Sequence, residues 1–154
     1  MAGLGSSCMM IPNPELKQKI SDSYDACWMF GPCDLAFTAM EAAYTHGDAW
    51  VDQQLAYLEG NVETVNTFVA EHMPGVQVTK HEGTFLMWLD MTCFGKSSRE
   101  LTSILAKEYG LALGDGSHYG TQAEGFMRLN IGCTRDTLIK GLEQMAVMYD
   151  KYVK

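Results

Sequence analysis

The chain has 154 residues, 47% of them apolar, which is enough for one domain with a real core. Nineteen acidic against eleven basic residues leave a net charge of −8 with the lysines scattered, so no basic stripe is available to neutralise nucleic-acid phosphates or anionic lipid. The apolar run TFLMWL at 84–89 is far too short to cross a bilayer, and the first dozen residues lack a basic segment followed by an apolar core, so a soluble, unexported protein is expected.

In chain order, SSCMMIPNPE (6–15) reads as a short apolar strand stopped by Pro12 and Pro14, with Pro14 well placed in the first turn of a helix ELKQKISDSYDAC. WMFGPCD (28–34) is a loop, and DLAFTAMEAAYTH (34–46) is a second helix, buried by its composition and ended by Gly47. Asp48 caps a third, in which Trp50 is followed by Leu55, Leu58, Val62, Val65, Val69 and Met73, which from Leu55 recur at steps of three or four and mark one face. Unbroken to Met73 it would run ~40 Å at 1.5 Å per residue, longer than one small core requires, so it is expected to connect two bodies.

PGVQV (74–78) and HEGTFLMWLDM (81–91) read as two strands able to pair as a hairpin. Ser97 and Glu100 have capping-box spacing ahead of a helix whose apolar face is Leu101, Ile104 and Leu105. GLALGDGSHYG (110–120) is a short strand followed by a glycine-rich loop, GFMRLNIGC (125–133) is a strand, and a last helix from Thr134 carries the stripe Leu138, Leu142, Met145, Tyr149 and Tyr152. From residue 74 the order strand, strand, helix, strand, strand, helix predicts an α+β fold, a small antiparallel-rich sheet covered by helices.

GFMRLNIGC carries the main chemical signal. Side chains alternate along a strand, so Met127, Leu129 and Ile131 belong to the core face while Phe126, Arg128 and Asn130 share the other. A guanidinium keeps its charge and is costly to bury unpaired, so Arg128 beside Asn130 suits a carboxylate ligand; a surface arginine paired with a neighbouring acid is the competing account. GDGSHYG (114–120) lacks the spacing and lysine of a P-loop and reads as an ordinary flexible loop, and His118 within it has no nucleophile or acid at a recognisable spacing. His46, His72, His81 and His118 and the cysteines show no metal-ligand spacing, so no metal is expected. The five cysteines (8, 27, 33, 93 and 133) form no CxxC pair and read as reduced core thiols of a cytoplasmic protein, and the methionines read as core filling.

Taken together, AGLGSSCMMIPNPELKQKI, AMEAAYTHGDAWVDQQLAYLEGN, MPGVQVTKHEGTFLMWLD and EGFMRLNIGCTRDTLIKGLEQM resemble the C-terminal part of the class I/II aminotransferase superfamily, the fold-type I pyridoxal-phosphate enzymes, and most nearly its MalY/PatB-type cystathionine beta-lyase branch. The resemblance implies that residues 1–47 are the remnant of a large cofactor-binding domain, 48–73 a connector helix and 74–154 a small C-terminal domain. It implies that Arg128 binds the α-carboxylate of an amino acid substrate, and that the intact enzyme is a homodimer.

The family's Schiff-base lysine lies in a motif S-x-[ST]-K-x-F-N-x-A-G-L whose alanine aligns with Ala2, and none of Lys17, Lys19, Lys80, Lys96, Lys107, Lys140, Lys151 or Lys154 occupies that motif. The resemblance therefore implies a C-terminal fragment of an aminotransferase or carbon–sulfur lyase, inactive alone and binding no pyridoxal phosphate itself. It also implies an N-terminal third that exposes apolar surface and is prone to self-association. A non-catalytic amino-acid-binding or assembly domain is the alternative.

Overall fold

The computed structural model describes residues 2–29, 31 and 33–153. Phe30 and Pro32 of the expected 28–34 loop lie outside the described residues, as do Met1 and Lys154. The chain divides into two compact units, residues 1–52 and 53–154.

In the first unit, helix α1 is Pro14–Ala26, with Pro14 in its first turn and the Asn13 side chain accepting from the Leu16 amide at 3.0 Å. Helix α2 is Asp34–His46, of which only Ala36 is buried. Its composition suggested a buried helix, yet Leu35, Phe37 and Tyr44 stand exposed, as do Met9, Met10 and Trp28 of the neighbouring segments. The strand expected in 6–15 does not form: a strand exists only where its amides find a partner ladder, and none among the described residues pairs with this segment.

Helix α3 is Asp48–His72, and the division between the units falls within its first turns. The second unit then builds strand β1 (Gln77–Val78), strand β2 (Leu86–Asp90), helix α4 (Ser98–Tyr109), strand β3 (Gly114–Asp115), strand β4 (Phe126–Asn130) and helix α5 (Arg135–Tyr152). The sheet order is β1-β2-β4-β3 with every pair antiparallel. The fold is thus α+β, and β1 and β2 form the expected hairpin. β2 begins later than the 81–91 run suggested, because Thr84 turns the chain at φ 67° and its hydroxyl accepts from the Leu86 amide at 3.2 Å.

Period-two alternation decides which side of the sheet is core. Met87 and Leu89 of β2 and Met127 and Leu129 of β4 point inward, where they meet Val65, Val69 and Met73, Leu101 and Leu105 of α4, and Leu138, Leu142, Met145, Met148 and Tyr149 of α5. Each such side chain contributes about 1.5–3 kcal/mol on burial. Met73, Met87, Met91, Met127, Met145 and Met148 all lie within this core, in keeping with the gap-filling role of a flexible thioether.

Local signals place α4. The Ser97 hydroxyl accepts from the Glu100 amide while the Glu100 carboxylate accepts from the Ser97 amide and hydroxyl, which holds the Glu100 carboxyl below its usual range. Gly110 then ends the helix at φ 65°, a conformation that favours a residue without Cβ. Ser98, fully buried, fastens this helix to the chain entering β4, accepting from the Gly125 amide at 2.7 Å.

The cysteines depart from expectation. Cys8, Cys27 and Cys33 are exposed and Cys93 and Cys133 half-buried, all as free thiols. The first three sit in segments that pack into no core, so small or apolar sequence neighbours did not translate into burial. Cys93 is titrated upward by burial first and by Asp90 second. Among the described residues no helix is long and apolar enough to cross a membrane.

Candidate carboxylate site on the open face of the sheet

With α3, α4 and α5 contributing to the core on one face, the other face of the sheet presents Leu86, Trp88 and Asp90 of β2 and Phe126, Arg128 and Asn130 of β4. β4 is central, so Arg128 has a neighbour on each side: Trp88 stands opposite it on β2 and Gly114 opposite it on β3. A Cβ on Gly114 would lie 3.1 Å from the Arg128 Cβ and 3.2 Å from its Nε, so the bare glycine leaves room for the guanidinium stem. The guanidinium carbon lies 5.3 Å from the centre of the Tyr119 ring. Trp88 meets Tyr119 edge-on at 5.5 Å and stacks on Phe126 at 5.9 Å.

Arg128 is half-buried and makes no ion pair among the described residues, so the account of a surface arginine neutralised by a neighbouring acid does not hold. The acids close to it in register are engaged elsewhere. One oxygen of Asp90 accepts from the Thr92 amide at 2.9 Å and hydroxyl at 2.6 Å. Asp115 accepts from the Ser117 hydroxyl and amide, contacts that hold its carboxyl below the usual range. Asn130 is on the same face two residues on; its side-chain oxygen accepts from the Gly132 amide at 2.8 Å, and its amide nitrogen has no partner among the described residues. The arrangement is a fixed positive charge over an aromatic bed with an amide donor alongside, chemistry suited to a carboxylate.

The stretch 114–120 is not the loose loop that its glycines suggested. Gly114–Asp115 pairs with β4, and Gly116–Tyr119 is a 3-10 turn capped by the Asp115 carboxylate. Gly116 is buried against the Phe126 and Ala123 carbonyls, where any Cβ would collide. His118 stands exposed on this turn, apart from any hydrogen-bonded catalytic pairing among the described residues.

A second polar cluster went unread in the sequence. Asn61, fully buried on α3, donates to the Ile131 carbonyl at 2.9 Å and the Cys133 carbonyl at 3.2 Å, and accepts from Arg135 Nε at 3.0 Å. The Tyr57 hydroxyl accepts from the Arg135 amide at 2.8 Å, and the Arg135 guanidinium lies over the Tyr57 ring. This cluster pins the segment that leaves β4 and so fixes the far end of the strand carrying Arg128. The available signal was an amide inside the apolar stripe of α3, flanked by Leu58 and Val65.

Replacing Gly114 with alanine is expected to push the guanidinium aside, moving the Arg128 Nε–H resonance while lowering stability by only about 1 kcal/mol, because the obstructing atoms belong partly to a flexible side chain. Paired NMR and thermal-melting measurements check both halves.

No family model matches the chain. It is 37% identical over 145 residues to cystathionine beta-lyase PatB of Bacillus subtilis, spanning 94% of this chain and 38% of that protein. It is 35% identical over 115 residues to protein MalY of Escherichia coli, spanning 72% of this chain and 28% of that protein. A pyridoxal-phosphate-bound protein from Clostridium difficile 630 superposes with a TM-score of 0.85 at 30% identity, over 91% of this chain and 36% of that one. The chain thus spans less than two fifths of the length of these curated relatives.

Proposed function

We propose, for a chain that belongs to the MalY/PatB-type branch of the fold-type I pyridoxal-phosphate enzymes, that it is the part of an aminotransferase or carbon–sulfur beta-lyase that receives the α-carboxylate of an amino acid. The observation carrying this reading is the half-buried Arg128 guanidinium, unpaired among the described residues while the acids nearest in register bond elsewhere.

Arg128 would grip both carboxylate oxygens through parallel N–H donors, and the Asn130 amide would add a donor that favours one orientation of the substrate. A charge-assisted contact of this kind is worth about 1.5–3 kcal/mol. In this reading α3 serves as connector between a remnant of the large domain and a small C-terminal domain that presents the arginine, and the working enzyme is a homodimer.

In this reading the residues around Arg128 receive the substrate carboxylate and do not hold the pyridoxal phosphate. The side chains sharing this face with it are Leu86, Trp88, Asp90, Phe126 and Asn130, with Tyr119 against the guanidinium, and none of them is an amine. Of the described lysines in this unit, Lys80 is paired with Glu82 and Lys151 with Glu108, Lys96 lies over the Tyr152 ring, and Lys107 and Lys140 belong to α4 and α5, which pack on the other face of the sheet. In this proposal no lysine of this chain carries the cofactor.

The test is an NMR titration of the chain with L-alanine and with L-alaninamide, which lacks the carboxylate. The expected result is a millimolar response to the acid and none to the amide, since one charged contact without the rest of a site supports only weak binding. Turnover of an amino acid by this chain with pyridoxal phosphate alone would overturn the proposal. Micromolar binding without turnover would instead indicate a self-sufficient amino-acid-binding domain.

A further inference from the structure

We propose that Tyr119 is the positioning residue for the Arg128 guanidinium, holding it in the orientation that receives a carboxylate; the inference rests on the carboxylate reading given above. An arginine on a sheet face has many rotamers, and fixing one costs entropy that some restraint must offset. Arg128 has no ion pair and no side-chain hydrogen bond among the described residues. Its restraints are the backbone of Gly114 under its stem and the Tyr119 ring 5.3 Å from its guanidinium carbon.

The tyrosine is itself held in place. Its 3-10 turn is capped by the Asp115 carboxylate, which accepts from the Ser117 amide at 2.9 Å and hydroxyl at 2.7 Å, and the turn's buried Gly116 abuts the Phe126 carbonyl. Trp88, paired with Arg128 across the strands, meets the ring edge-on. Yet Tyr119 is 56% exposed, outside the core, and its hydroxyl makes no hydrogen bond among the described residues. Its described contacts on this face are the edge of Trp88 and the Arg128 guanidinium, and the second of these needs only the ring.

That requirement gives two discriminating variants of the full chain, Tyr119→Phe and Tyr119→Leu, read by the Arg128 Nε–H resonance and by L-alanine titration. Tyr119→Phe is expected to keep both near the wild-type values. Tyr119→Leu is expected to move the resonance out of the ring current and weaken L-alanine binding about three- to tenfold, the range of a cation–π contact at a partly exposed site. A melting temperature in Tyr119→Leu close to that of the parent, beside weakened binding, separates positioning from a merely structural role.

Tyr119→Leu with unchanged resonance and unchanged affinity overturns the inference. If Arg128→Ala leaves L-alanine binding intact, the carboxylate reading itself fails. The mobility of Arg128 Nε, read from its 15N relaxation, still decides the placement in that case: raised in Tyr119→Leu and kept in Tyr119→Phe, it supports Tyr119 as the residue that holds the guanidinium, and unchanged, it sinks that too.

Discussion

Substituting Arg128 with alanine is expected to erase the response of the chain to L-alanine while leaving its melting temperature close to that of the parent. β4 is held by the burial of Met127 and Leu129 and by its ladders to β2 and β3, and none of these involves the Arg128 side chain. Loss of a bidentate charge-assisted contact worth about 2–3 kcal/mol corresponds to roughly 30- to 150-fold in affinity, which carries a millimolar site out of the measurable range. Arg128→Lys keeps the charge but not the planar fork, and roughly a five- to tenfold weakening is expected, with the residual binding more sensitive to salt. A retained response in Arg128→Ala would place the carboxylate elsewhere.

The second large effect concerns stability. Asn61→Ala is expected to lower unfolding free energy by about 2–4 kcal/mol, because it strips hydrogen-bond partners from the Ile131 and Cys133 carbonyls and from Arg135 Nε at once. For a cooperative unit of this size that is a drop of roughly 10–20 °C in melting temperature. Asn61→Leu should not recover it, since an apolar side chain fills the space without serving the orphaned groups. A double-mutant cycle with Arg135→Ala is expected to show a coupling of about 1 kcal/mol, which calorimetric or denaturant melts would measure. If both single variants melted like the parent, the latch between α3 and the end of β4 would carry no weight.

Much of this molecule was legible from local chemistry. The alternation in GFMRLNIGC assigned Met127 and Leu129 to the core and Arg128 to the opposite face, and it held because a strand has no other way to divide its side chains. Ser97 with Glu100 marked the start of α4, since both halves of that capping box lie within one turn of chain. The stripe Leu138, Leu142, Met145 and Tyr149 likewise marked the inner side of α5. Segments without such self-contained logic misled: 6–15 had strand composition but found no strand to pair with, and the glycines of 114–120 were read as looseness when they mark close backbone packing.

The sequence by itself thus determined the element order from residue 74 onward, the core face of the sheet and the presence of one outward arginine, because each follows from the periodicity of a single segment. Only the tertiary structure decided that Gly114 and Trp88 flank that arginine, that Tyr119 lies against it, and that the amide of Asn61 spans from α3 to the end of β4. Those facts depend on register and on contacts between residues far apart in the chain. No local pattern encodes them, since many sequences with the same periodicities would pair their strands differently and leave the same guanidinium facing different neighbours.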